Sequence, residues 1–166
     1  YHTRPSSDLE EAYAKTLCQT YHKQCHVFHA PPIEHNFEAT AREIRYAFFV
    51  DILARHAYQN LITAHQLNDR FEWFLMRFSK GAGVEELVGM HAVEHRVGYT
   101  LVRPFLDVCR RDIEEYLRQN RIVYFEDETN ADMTYERNRI RHTWATDFLT
   151  AYASGVKRSF SILEDE

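Results

Sequence analysis

The sequence predicts an α/β fold. Short β-leaning runs alternate with stretches of helical hydrophobic spacing. One of those runs, residues 60–64, leads directly into an amphipathic stretch over 64–77. Finally, 166 residues with 45% hydrophobic content suit a single domain, and a chain of this length buries about 70% of the surface its unfolded form exposes.

Residues 1–22 read as the end of a strand, a turn at Pro5 and then a helix. Ser7 with Glu10 three positions on forms a capping box, and Asp8 adds favourable charge to the first turn. Leu9, Tyr13, Leu17 and Tyr21 recur every four residues and are expected to face the sheet. Residues 24–29 are β-leaning and stop at Pro31-Pro32. A long helix follows from about Asn36 to Arg55, with Phe37, Ala41, Ile44, Phe48 and Ile52 at helical spacing. An advance of roughly 100° per residue places Arg42 about 120° from that stripe, open to a ligand, and Arg45 nearer its edge, where it can snorkel beside the core.

The helix expected over 64–77 carries His65, Asp69 and Glu72 at i, i+4 and i+7, on one face of its first two turns. Leu67, Phe71, Phe74, Leu75 and Phe78 form the opposite stripe. Its N-terminus falls where a strand ends, the usual ligand position in an open α/β sheet. Spacing alone equally describes an ordinary solvated face.

Gly81 and Gly83 break the pattern, and residues 84–90 read as a loop or short turn. Residues 91–105 read as two β segments around Val97-Gly98, closed by Pro104, which has no N–H for a ladder. Asp107 to Asn120 is a helix with Ile113, Tyr116 and Leu117 inward and Asn120 as its stop. Asp127, Thr129, Asn130 and Asp132 form a turn and cap cluster, followed by a dense basic stretch of Arg137, Arg139, Arg141 and His142. Those acids can simply cap and pair with the arginines. From Thr143 the helix continues through Trp144 and Phe148, loses pattern near Gly155 and ends in an acidic segment expected to fray. The expected division is a domain over 1–142 and a helical extension over 143–166.

Composition excludes several classes. No apolar run approaches the roughly 20 residues of a membrane span and nothing resembles a signal peptide, so a soluble, cytoplasmic chain is expected. Cys18, Cys25 and Cys109 are odd in number and widely spaced, which implies neither a disulfide framework nor a zinc ribbon. The ten histidines show no HExxH spacing. A net charge of −5 speaks against a free-standing nucleic-acid module, so RNA affinity would need a local patch or another part of the protein.

Five stretches carry a family resemblance. Residues 64–83 resemble the AHxxDDxxETxLxRxxRGxG hallmark of the tRNA(Ile)-lysidine synthetases, PP-loop ATP pyrophosphatases, with Asn68 for the first acid, Trp73 for Thr and Lys80 for Arg. Residues 37–49 resemble the family's ExxARxxRYxFF helix. Residues 122–142 resemble WxEDxSNxDxxYxRNxxRH, with Thr129 for Ser. Tyr1, Arg4 and Ser7 match the HxLRxxS segment with Tyr at the His position, and Arg103-Pro104 matches an RPL element.

The resemblance implies a Rossmann-like, mostly parallel sheet flanked by helices, of the adenine nucleotide alpha hydrolase type. It implies use of ATP and Mg²⁺ to adenylate the C2 oxygen of the wobble cytidine of an isoleucine tRNA with a CAU anticodon, after which the ε-amine of L-lysine displaces AMP. His65, Asp69, Glu72 and Arg42 are then the expected catalytic residues. Arg4, Arg45, Arg103, Asn130, Arg137, Asn138 and Arg141 are the expected contacts to substrate or ATP. Asp69 and Glu72 either hold Mg²⁺ or hold lysine's α-amino group, and both readings stay open. His65 is the candidate base, because neutralising a lysine amine with a pKa of about 10.4 costs roughly 4 kcal/mol near pH 7.4.

The family's SGGxDS loop and its C-terminal RNA-binding modules do not occur in these residues, so a fragment unable to form the adenylate alone is expected. Pyrophosphate release from the 166-residue chain with ATP and cognate tRNA would overturn that expectation. Competing readings are a tRNA-thiolating enzyme of the same superfamily, a catalytically silent nucleotide- or RNA-binding adaptor, and a hydrolase with a metal on His65, Asp69 and Glu72. The last is awkward, because i to i+7 spans about 10 Å. A homodimer is left open.

Overall fold

The computed structural model describes residues 7–33, 37–126 and 132–165. Arg4, Asp127, Thr129 and Asn130 lie outside the described residues. The architecture is mixed α/β, with a three-stranded sheet, flanking helices and a long C-terminal helix. Two compact units divide it, residues 1–61 and residues 62–166. No helix among the described residues is long and apolar enough to cross a membrane.

The first unit holds α1 (Ser7–Thr20) and α2 (Phe37–Arg55). Ala41 and Leu53 of α2 are buried, and Phe28 stacks on Phe48 with ring centroids 5.2 Å apart. Residues 24–29 are extended without ladder bonds, where a strand is expected from composition. No α1 residue is buried, and Leu9 and Tyr21 are 64% and 65% exposed. A helical stripe is buried only where a second surface meets it, and spacing alone does not supply that surface.

Hydrogen bonds from Lys15 Nζ (2.6 Å) and His29 Nε2 (2.8 Å) hold the Glu11 carboxyl well below its usual range, at about 2. A depressed carboxyl pKa contributes stability that is complete above about 4.5 and disappears as pH falls through the folded value. The tether of residues around His29 to α1 is therefore expected to persist to near pH 2. A Glu11 side-chain carbon titrating near 4.5 would contradict this.

The second unit opens at Ile62, the last residue of β1 (Asn60–Ile62). Strands β2 (Val93–Arg96) and β3 (Tyr99–Val102) form the antiparallel hairpin expected around Val97-Gly98, with Val93 opposite Val102 and Arg96 opposite Tyr99. The sheet order is β1-β3-β2. Thr63 N–H donates to Val102 O (3.0 Å), and Gln66 pairs with Phe105 in an isolated parallel bridge. The chain thus leaves β1 and β3 in the same direction, and each leads into a helix at that edge.

Those helices are α3 (Leu67–Phe78) and α5 (Arg110–Gln119). Between α3 and β2 the expected turn is a short helix, α4 (Val84–Val88), ended by Gly89. Gly89 sits at φ +59°, and a Cβ there would lie 2.0 Å from Trp73 Nε1, the indole nitrogen that donates to Glu86 O. Both the left-handed backbone and the contact exclude a side chain. Gly89→Ala is expected to cost about 2 kcal/mol or more in urea unfolding; a loss below half that would mean the indole swings aside freely.

The chain finishes with α6 (Glu136–Ile140), one π-helical turn (Arg141–Ala145) and α7 (Thr146–Asp165). The π turn has a packing reason. Ile140 and Ala145 are five residues apart, yet both lie in the core with Leu149, Val156 and Phe160, and only a widened turn puts residues five apart on one side. Leu67 and Phe71 of α3 and Cys109 complete that core. Helix α5 is more exposed than expected, with no buried residue and Tyr116 60% exposed. Glu164, the first residue of the acidic end, is paired: its Oε1 lies 2.7 Å from Nη2 of the buried Arg70, whose guanidinium stacks 4.1 Å from the Phe160 ring.

Candidate active site

Helix α3 begins later than periodicity suggests. Gln66 is its N-cap in an extended conformation (φ −127°, ψ 175°), and its N–H donates to Asp69 Oδ2 (3.0 Å) at the third helical position. His65 therefore precedes the helix and does not share a helical face with Asp69 and Glu72, which corrects the i, i+4, i+7 expectation. The side chain of Asp69 satisfies a backbone donor that would otherwise go unpaired at the helix start, and so sets the boundary. His65 Nδ1 is instead 2.9 Å from Thr63 Oγ1.

The polar face of the first two turns is paired with other side chains and is not an ordinary solvated face. Leu67 and Phe71 are buried in the apolar core, and Glu72 is 1% exposed. A buried carboxylate requires charged partners, and Glu72 has two, 65 and 69 residues along the chain. Arg141 grips it side-on, Nε to Oε1 at 2.6 Å and Nη2 to Oε2 at 3.0 Å. Arg137 Nε adds a bond to Oε2 at 2.8 Å, while its Nη2 donates to Asp69 Oδ1 at 2.5 Å. The Glu72 hydrogen bond raises the Arg141 pKa further above its already high value, against the opposing effect of burial.

Arginines at i and i+4 on one helical stretch repel each other. Glu72 cancels that repulsion by lying against both. The same feature bears on metal binding. Both oxygens of each carboxylate already accept a guanidinium or backbone N–H, and a Mg²⁺ ion would compete with those donors for the same oxygens. Among the described residues no group of three or more His, Cys, Asp or Glu side chains could hold a metal ion. With three of its lone-pair sites taken by guanidinium N–H groups, the Glu72 carboxylate does not fit Mg²⁺.

Asp69, Glu72 and Arg141 of this cluster line a cleft of about 310 Å³ between the start of α5 and the π turn. Gln66, Asn68, Asp69 and Glu72 form one side, and Arg110, Arg111 and Glu114 another, with Arg141, His142, Thr146 and Thr150 completing the wall. Asn68, which replaces the first acid of the family pair, accepts the Arg110 N–H through Oδ1 at 2.9 Å and so caps α5. An acid is unnecessary for that task, since an amide oxygen serves.

Arg110, Arg111 and Glu114 belong to no motif. Their signal in the sequence is the pair of arginines in the first turn of α5, where the helix dipole disfavours positive charge. Arg110 answers part of that cost by pairing with Glu114 (2.6 Å).

The other expected site residues are placed differently. Arg103 is buried against β2, donating to His91 O at 2.7 Å and to the Glu94 carboxylate, so it closes the hairpin and does not line the cleft. Asn138 is buried and donates to Asp132 O at 2.8 Å, tying the turn to α6. Asp132 itself accepts from Thr134 N–H (2.9 Å) and hydroxyl (2.7 Å), which depress its carboxyl pKa and make it the expected turn former. Arg42 and Arg45 are exposed on α2 in the first unit, with the Arg42 guanidinium 5.2 Å from the Tyr46 ring. Burial pushes the Cys18 and Cys109 thiols up, which leaves them poor nucleophiles.

A family model described as a PP-loop domain matches residues 1–147. The chain is 46% identical over 166 residues to a tRNA(Ile)-lysidine synthase of Campylobacter jejuni, covering 100% of this chain and 52% of that protein. It is 42% identical over 154 residues to the tRNA(Ile)-lysidine synthase of Helicobacter pylori, covering 93% and 45%. Similarity extends to Streptococcus equi, where the protein of that name is 35% identical over 151 residues, covering 87% and 32%. The chain spans about half the length of the first of these relatives, and less of the others.

Proposed function

Because the chain belongs to the PP-loop family, among the tRNA(Ile)-lysidine synthases, we propose that it is part of an ATP-dependent ligase that makes lysidine in an isoleucine tRNA with a CAU anticodon. In this reading the C2 oxygen of the wobble cytidine attacks the α-phosphorus of ATP and pyrophosphate leaves. The ε-amine of L-lysine then attacks C2, the C2–O bond breaks with release of AMP, and the amine loses a proton.

The observation that carries the reading is that residues of two separate motifs, Asp69 and Glu72 in one and Arg137 and Arg141 in the other, meet within hydrogen-bonding distance at a cleft. Displacement of AMP needs fixed positive charge near a phosphate, and planar guanidiniums supply it without reorganisation. Arg42 is a further candidate for that charge, and Arg4 and Asn130 keep the substrate roles their motifs suggest. Mg²⁺ enters this reading as the counter-ion of ATP, not as a ligand of Asp69 or Glu72. His65, steadied by Thr63, is the candidate to take the proton of the ε-amine.

The test uses the intact protein with an isoleucine tRNA transcript, ATP and lysine. AMP formation that depends on both tRNA and lysine is expected, with lysidine at the wobble position by nucleoside mass spectrometry. Absence of lysine incorporation would remove the reading. His65→Ala is expected to lower turnover about 10²-fold or more while shifting the unfolding midpoint little; equal losses of both would make His65 a structural residue.

A further inference from the structure

We propose that Glu72 is a positioning residue that acts through Arg137 and Arg141, its own oxygens touching neither substrate nor metal. What the guanidiniums act on rests on the ligase reading above; the positioning itself rests on geometry. An ionised carboxyl offers about four lone-pair sites, and three of those on Glu72 are filled by guanidinium N–H groups. Although Glu72 borders the cleft, only 1% of it is exposed, and its oxygens are turned to the guanidiniums. Glu72 is thus the fixed point against which two mutually repelling cations are set.

The consequence lies on Arg137. Its Nε and Nη2 are directed at Glu72 and Asp69, and its side chain remains 40% exposed. A guanidinium is planar and rigid, so fixing the Nε–Nη2 edge also fixes the direction of the Nη1 donors on the opposite edge. Those donors are the ones available to a substrate anion. Asp69 adds precision, because its other oxygen is bound to the backbone at the start of α3. The guanidinium is therefore indexed to the same helix boundary that forms one wall of the cleft.

The experiment has two arms on the intact protein. In the first, the arginine Nε–H signals of Arg137 and Arg141 are followed by ¹⁵N NMR, which requires no activity. Slowly exchanging signals are expected in the wild type, lost in Glu72→Gln and unbroadened by Mn²⁺ added alone. Selective Mn²⁺ broadening of these signals that vanishes in Glu72→Gln would place a metal at the carboxylate and overturn the proposal.

The second arm is kinetic. Glu72→Gln is expected to lower kcat for lysine-dependent AMP formation about 10²-fold with KM for lysine within about 2-fold, and to add little further loss to Arg137→Gln. A KM for lysine raised 10-fold or more, or losses that multiply in the double variant, would show direct contact and sink the proposal. If Glu72→Gln does not fold, Glu72→Asp keeps the charge one methylene short of both arginines and is read the same way. A wild type without AMP formation defeats the ligase reading alone, since the first arm still decides the positioning.

Discussion

Replacing Glu72 by alanine is expected to destabilise the protein by about 3–5 kcal/mol, among the largest losses any single substitution here would produce. The reason is asymmetric. Arg141 is largely enclosed, with its side chain 16% exposed, and loses its bidentate partner, while Arg137 keeps Asp69. Two cations four residues apart then face each other in a poorly hydrated place. Removing charge from both sides reverses much of this, because a buried ion cluster replaced by well-packed apolar groups is often no less stable. Glu72→Met with Arg141→Met should accordingly recover at least half of the loss measured by urea unfolding. A single-variant loss below about 1 kcal/mol would show that water reaches the cluster freely.

Phe160→Ala is expected to cost a similar amount, about 3–5 kcal/mol. Its ring is 2% exposed, meets Phe74 edge-on at 5.8 Å and lies under the Arg70 guanidinium at 4.1 Å. The substitution opens a cavity and uncovers a cation whose pKa burial already lowers. Hydrogen exchange gives the sharper test: backbone amides of α7 and α3 should lose protection together, since Phe160 and Phe71 share one core. Loss of protection confined to α7 would mean that the helix is an appendage with its own stability.

The C-terminal helix shows where periodicity misleads. Its pattern weakens around Gly155, and Tyr152 has non-helical angles (φ −128°, ψ 19°), yet Val156 and Phe160 are as buried as the α3 residues they meet. A hydrophobic stripe counted from Trp144 is thrown out of register by the π turn and again by the kink, so the core face is invisible to a fixed 3.6-residue period. The hairpin at Val97-Gly98 was easier to read, because Gly98 (φ +85°) and the alternating residues around it are local signals. In α1 the spacing is regular, yet Leu9 and Tyr21 are exposed, because spacing alone does not bring a covering surface.

The site divides along the same line. Asp69, Glu72, Arg137 and Arg141 could all be picked out from the sequence, because two long motifs mark them and their residue types suit phosphate chemistry. Their partners could not: a carboxylate at a given position looks the same whether it awaits a metal, an amine or an arginine 69 residues away. Arg110 and Glu114 were missed because they belong to no motif, and His65 was assigned to a helix that a backbone hydrogen bond to Asp69 delays past it.

Sequence by itself determined the family and the mixed α/β class, since these depend on residue type and local spacing. Only the tertiary structure decided that Glu72 is buried between two guanidiniums, that Arg103 belongs to the hairpin and that Glu164 pairs with the buried Arg70. Burial and pairing arise between residues far apart in the chain, and the energy of a charged group is set by what surrounds it in space.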